Sequence, residues 1–205
     1  MFSSNPEKAE IRAYGGIGPW EGNISELDFQ NAFDEHSGQD LTIHVQSDGG
    51  DVDSGISIYN QIANYPGKVT VVIDAMAASI ASYFPMAATE VLAHENSTMM
   101  IHNPWTLAIG DANEMERVAD VLRLRGRQLS KAYANRTGKH EDEILAIMDA
   151  ETWLDADQML AGGFIDGVIS AKKAKPAAKA FQASALAVNP KIVTNLIAKK
   201  LRQRI

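Results

Sequence analysis

The stretch Val69-Thr-Val-Val-Ile73-Asp-Ala-Met-Ala-Ala-Ser79-Ile-Ala-Ser82 decides how this chain folds. Its first five residues are β-branched, which suits a pleated, buried strand. The residues that follow are mostly small and lead into a helix-like run. The apolar stretch Val69–Ala88 is long enough to raise the question of a membrane span, which needs about 20 mostly apolar residues. It is interrupted by Asp74, Ser79, Ser82 and Pro85, and a buried strand followed by a buried helix accounts for it better. A serine at such a strand-to-helix turn, with no bulky neighbour, projects its hydroxyl where a substrate carbonyl can approach. The plainer reading of Ser79 is a buried hydroxyl in a close helix contact, and taken alone it is the commoner one.

Working outward, β-like runs alternate with helical ones. The strands expected are Ile11–Tyr14, Leu41–Gln46, Val69–Ile73, Glu90–Ala93, Thr98–His102 and Phe164–Ile169. Helices are expected from Ser25 through Phe33, over Val52–Tyr65, over Asp111–Thr137 and over Asp155–Leu160, from apolar residues spaced three and four apart. Gly138 is placed to end the longest of them. Strands alternating with helices define an α/β layered domain, expected over residues 1–170.

The chain has 205 residues, 45% hydrophobic and 22% charged, enough for one domain with its own core. There is no cysteine, which excludes a disulfide scaffold, a Cys-ligated metal centre and a Cys nucleophile. The N-terminus lacks a signal-peptide pattern, and a cytoplasmic protein is expected. Residues 1–170 carry 10 Lys+Arg and 26 Asp+Glu, a balance of −16, whereas residues 171–205 carry 9 Lys+Arg and no acid, a balance of +9; together they make −7. An acidic body is a poor ligand for nucleic acid. Residues 171–205 read as a basic Ala/Lys-rich linker followed by an amphipathic helix after Asn189-Pro190. That helix suits a partner, a membrane surface or the body itself.

Three further elements carry possible chemistry. Ser47-Asp48-Gly49-Gly50 follows a strand, where α/β sheets gather their ligands, and paired glycines there expose N–H groups to an anion. Its spacing fits neither a dinucleotide fingerprint nor a P-loop. His102 ends an apolar run just before Pro104 and is the best placed of five histidines to reach a neighbouring strand end; His44, inside a strand, reads as structural, and His36 and His140 as loop residues. Asp149-Ala-Glu151-Thr-Trp153 offers two carboxylates, either of which could orient a histidine. No spacing of ligands argues for a metal, and no cofactor is called for.

These landmarks, in this order, resemble the ClpP-like serine proteases, the proteolytic subunits of Clp protease. The resemblance rests on Ser47-Asp48-Gly49-Gly50 with Gly55-Ile-Ser-Ile-Tyr59, on Ala77-Ala78-Ser79, on Met100-Ile-His102-Asn-Pro104, on Thr137-Gly138, on Glu151-Thr-Trp-Leu154 and on Gly163-Phe-Ile-Asp166. It spans about residues 11–169. It implies a ClpP/crotonase-like layered β/α domain with the Asp111–Thr137 helix as a handle between subunits. It implies Ser79 as nucleophile, His102 as general base, and the N–H groups of Gly50 and Ile80 as an oxyanion hole, with Gly49 and Asp48 lining the substrate path. Glu151 falls where the family carries its triad aspartate, and Asp149 is the alternative third member. Asp48 replaces a family proline.

Pro104-Trp105-Thr106 and the Asp149–Trp153 run look most like the branch encoded by tailed phages and prophages. That branch implies a head-maturation (prohead) protease acting on capsid or scaffold proteins. The alternative is a cellular-type subunit working with an unfoldase. Either implies a polypeptide substrate and a homo-oligomeric ring, a heptamer or stacked heptamers. Three rival readings use the same residues differently: a crotonase-like acyl-CoA enzyme, in which Ser79 and His102 need not be coupled; a Ser–Lys peptidase using Lys68; and a non-enzymatic ring component.

Overall fold

The computed structural model describes residues 1–170. The tail reading for residues 171–205 lies outside them.

Two strands open the chain, β1 (Phe2–Asn5) and β2 (Glu10–Tyr14), paired antiparallel. Helix α1 (Glu26–Glu35) starts at a capping box in which Ser25 and Asp28 satisfy each other's backbone N–H. Strand β3 (Leu41–Ser47) leads into α2 (Val52–Ala63), capped by Asp51. Strand β4 (Val69–Ala78) leads into the one-turn helix α3 (Ile80–Tyr83) and a 3₁₀ turn, Phe84–Ala87. Strands β5 (Glu90–His94) and β6 (Thr98–Ile101) precede the long helix α4 (Ala112–Thr137). Asp111 and Glu114 cap its start, and Gly138, at φ +72°, ends it. Helix α5 (Glu141–Asp149), strand β7 (Thr152–Asp155), helix α6 (Ala156–Ala161) and strand β8 (Gly167–Ile169) complete the described chain.

The sheet runs β1-β2-β3-β4-β5-β8, parallel from β2 onward, so the expected α/β fold is present. Strand β4 is longer than its hydrophobic run suggested, continuing through the small residues to Ala78. Its first half pairs with β5, and Met76–Ala78 pairs with β6, which in turn pairs antiparallel with β7. Between the halves the register with β3 jumps, from Val45 opposite Ile73 to Ser47 opposite Ala77. Such a bulge bends a strand and lets β4 serve two sets of partners.

Besides the longer β4, four elements depart from the sequence reading. Strand β1 was not anticipated. Helix α5 fills residues 141–149, most of which carried no reading, strand β7 occupies the stretch read only as carboxylates before a helix, and the run expected from Phe164 is a strand only at Gly167–Ile169. The core gathers Phe29 at its centre, with ring centroids 5.4 Å from Phe2, 5.8 Å from Phe33 and 5.8 Å from Phe84. Phe29, Phe84 and Phe164 are fully buried.

Candidate active site

The parallel strands deliver their carboxyl ends to one place. The turn after β3 carries Asp48, Gly49 and Gly50, the end of β4 carries Ser79, and the end of β6 carries His102. All five line one cavity of about 850 Å³.

Ser79 sits at φ +55°, ψ −131°, a backbone state that a non-glycine residue seldom adopts. Its N–H donates to Met100 O at 2.9 Å, which ties the turn to β6. Its carbonyl accepts from both the N–H (2.9 Å) and the hydroxyl (2.6 Å) of Ser82. The Ser82 hydroxyl is within 2.8 Å of the buried Tyr133 hydroxyl from α4. The strained turn is thus braced from two sides. Its small neighbours have a packing reason as well: a Cβ on Gly49 would lie 2.7 Å from the Cβ of Ser79.

Ser79 Oγ and His102 Nε2 are 2.7 Å apart, a hydrogen bond across 23 residues of sequence. On the other side of the imidazole, Glu151 Oε2 is 3.9 Å from Nδ1, an ion-pair distance beyond hydrogen-bonding reach. Glu151 is itself at φ +47°, and its side chain is 63% exposed. Asp149 turns elsewhere: its carboxylate accepts from the side-chain amide of Asn103 at 2.5 Å. Burial lowers the His102 pKa below the ordinary histidine value, opposed by the neighbouring Glu151 charge. His102 is therefore held mainly neutral near pH 7, the form that can take a proton.

Gly50, at φ +145°, is pressed against Ile17, where any Cβ would collide with the Ile17 carbonyl. Ile17 N–H donates to Gly49 O at 2.7 Å, and Asp51 N–H donates to Ile17 O at 2.9 Å. Because successive N–H groups of an extended chain point to opposite sides, this pairing turns the Gly50 N–H away from Ile17. Neither the Gly50 nor the Ile80 N–H is bonded to the backbone of another described residue. Two donors that no described residue's backbone occupies thus flank a nucleophile-like hydroxyl, an arrangement suited to a developing oxyanion.

The other histidines fall elsewhere. His44 Nδ1 lies 3.0 Å from Asp74, which His94 also approaches at 3.5 Å and to which the Tyr14 hydroxyl is bonded. Burial and that carboxylate push the Tyr14 pKa up to about 12. His36, read as a loop residue, is fully buried at the end of α1 and 2.8 Å from Ser4 Oγ. No cluster of metal-ligating side chains occurs among the described residues, and no described helix is long and apolar enough to cross a membrane.

Several supporting residues escaped the sequence reading: Ile17, Ser82, Asn103 and Tyr133. Ser82 and Asn103 stood inside motifs singled out for Ser79 and His102, and Ile17 sits in the glycine-rich run Gly15-Gly16-Ile17-Gly18, but nothing local marked their roles. An α/β fold with a coupled Ser–His pair at its strand ends defines a serine-hydrolase type of site.

The Clp protease family model matches residues 26–172. The ATP-dependent Clp protease proteolytic subunit of Oltmannsiellopsis viridis is 34% identical over 137 residues, covering 65% of this chain and 70% of the relative. The ATP-dependent Clp protease proteolytic subunit 1 of Protochlamydia amoebophila (strain UWE25) is 31% identical over 137 residues, covering 65% of this chain and 66% of that relative. The chain belongs to the Clp protease family, a family of serine-type peptidases.

Proposed function

We propose that this chain is a serine endopeptidase of the cellular Clp type, the proteolytic subunit of a ring that receives polypeptide from an unfoldase. The observation that carries the reading is the 2.7 Å contact between Ser79 Oγ and His102 Nε2 at a strained turn flanked by two N–H groups unbonded to the backbone of any other described residue. The relatives' names, both ATP-dependent Clp proteolytic subunits, favour this role over head maturation in a phage. A capsid or scaffold substrate finds no support among them.

The geometry suits acyl transfer to water. His102 Nε2 takes the proton of Ser79 as Oγ attacks the peptide carbonyl, and the new oxyanion accepts from the Gly50 and Ile80 N–H groups. His102 then gives that proton to the leaving amine, and the C–N bond breaks. Water, deprotonated in turn by His102, releases the acyl group and restores Ser79. Glu151 is the group placed to stabilise the imidazolium.

The rivals are less well served. Lys68 precedes β4 and Ser79 follows it, so a strand of ten residues, about 30 Å at the usual rise, separates them. Its ammonium is instead 2.8 Å from Glu90. An acyl-CoA enzyme would have no use for a hydrogen-bonded Ser–His pair.

Intact-mass labelling with a fluorophosphonate tests the proposal. A single adduct on the wild type, absent from Ser79→Ala, is expected. A folded, assembled wild type that takes no adduct overturns it.

A further inference from the structure

The peptide group joining Ser79 to Ile80 has two ends with separate duties. Its N–H, on Ile80, is one of the two donors proposed for the oxyanion. Its carbonyl, on Ser79, accepts from the backbone N–H of Ser82 at 2.9 Å and from the Ser82 hydroxyl at 2.6 Å. The bond is trans, so the group is planar and its N–H and carbonyl point to opposite sides. Whatever holds the carbonyl therefore aims the N–H. A hold is needed, because Ser79 sits at φ +55°, ψ −131°, a state that persists only where the surroundings impose it. Relaxation of ψ would swing the Ile80 N–H together with the carbonyl.

The second bond to that carbonyl is backed by α4. A serine hydroxyl has one proton, and Ser82 gives it to Ser79 O, so the 2.8 Å contact between Ser82 Oγ and the Tyr133 hydroxyl is filled by the tyrosine proton. The order is Tyr133 to Ser82 to the Ser79 carbonyl, and each bond polarises the next. Both side chains are buried, Ser82 completely. The Tyr133 ring is set between Tyr83 and Phe164, with centroids 5.9 and 6.2 Å away in edge-on arrangements. Burial raises the phenol pKa well above its ordinary value, so the proton is present throughout the neutral range. A buried tyrosine hydroxyl needs some partner in any case. What distinguishes this one is that its chain of bonds ends on the peptide group that carries the Ile80 N–H.

Resting on the serine-peptidase reading, we infer that Tyr133 and Ser82 are positioning residues for the oxyanion hole: together they lock the Ser79 carbonyl so that the Ile80 N–H faces the tetrahedral oxygen. Neither touches the substrate. The seat of α4 is thereby coupled to the strength of one oxyanion donor, while substrate binding and the basicity of His102 are left alone.

The test is the kinetics of fluorophosphonate labelling on full-length protein, with the rate at saturation (kinact) separated from the half-saturating concentration (KI). The probe's phosphoryl oxygen takes the place of the oxyanion as Ser79 Oγ displaces fluoride. Tyr133→Phe and Ser82→Ala are each expected to lower kinact about tenfold, less than the 10²–10³ typical of a donor removed outright. KI should stay within about twofold, and the acid limb of kinact should not move. Because Tyr133 acts through Ser82, Ser82→Ala/Tyr133→Phe should label no more slowly than Ser82→Ala. Removing both partners also leaves no buried hydroxyl unpaired. The double variant should therefore regain the thermal midpoint that Ser82→Ala loses and yet not regain kinact. Single variants within about twofold of wild type, a loss confined to KI, or losses that multiply in the double variant overturn the inference. So does labelling that recovers with the midpoint, which would make the pair a packing device only. A wild type that takes no adduct sinks the peptidase reading and the inference with it; a labelled wild type beside unaffected variants sinks the inference alone.

Discussion

His102 stands between two influences of opposite sign. Burial lowers its pKa and Glu151 raises it, with burial the larger. In the proposed mechanism the neutral imidazole is the base, so the acid limb of kcat/KM should fall below the ordinary histidine value of about 6.5. Glu151→Gln removes the raising charge, so the limb should move further toward acid while turnover falls; a limb moving toward alkali refutes the assignment. Asp149→Asn should cost less than Glu151→Gln, because Asp149 serves Asn103 rather than the imidazole. Kinetics of the two variants side by side give the ranking. Ser79→Ala should lose about 10⁶ in turnover, read on the same peptide.

At the scale of the element, the site depends on how the turn after β3 meets the loop carrying Ile17. Gly50→Ala places a Cβ against the Ile17 carbonyl and demands a φ that alanine resists. That displaces the N–H proposed as one oxyanion donor, and the loss of such a donor typically costs about 10²–10³ in kcat. Steady-state kinetics check this: a variant within threefold of wild type would mean that the Gly50 N–H is not a donor. Helix α1 is held by Phe29, which touches Phe2, Phe33 and Phe84. Phe29→Ala should cost about 3–5 kcal/mol of stability, measured by denaturant unfolding.

For the whole molecule, α4 leaves Val121 and Leu124 about half exposed, and the segment before it exposes Trp105, Leu107 and Ile109. A single copy would present these apolar side chains to water. The protein should therefore sediment as a ring of 22.2 kDa subunits, and a monomer that takes the fluorophosphonate label would show that the site is complete without assembly.

Residue order alone determined a good deal. The strand-like run Leu41–Val45, the β-branched run Val69–Ile73, the spacing within α2 and α4, and the stop at Gly138 are local properties, expressed through backbone preference and burial on one face. Ser79, His102 and the Gly49-Gly50 pair were legible because each follows an apolar strand, and strand ends converge in an α/β sheet. What remained hidden depends on distance through space. Strand β7 is a short half-exposed run whose partner is β6, some 50 residues earlier, so its sequence carries little pattern of its own. Asp149 and Glu151 lie two residues apart and are alike in charge. Only the end of α5 and the positive φ at Glu151 send one toward Asn103 and the other toward His102. The chemistry of each side chain is written in the sequence, but which neighbour it meets is set by packing, because a difference of an ångström or two decides whether a hydrogen bond forms at all.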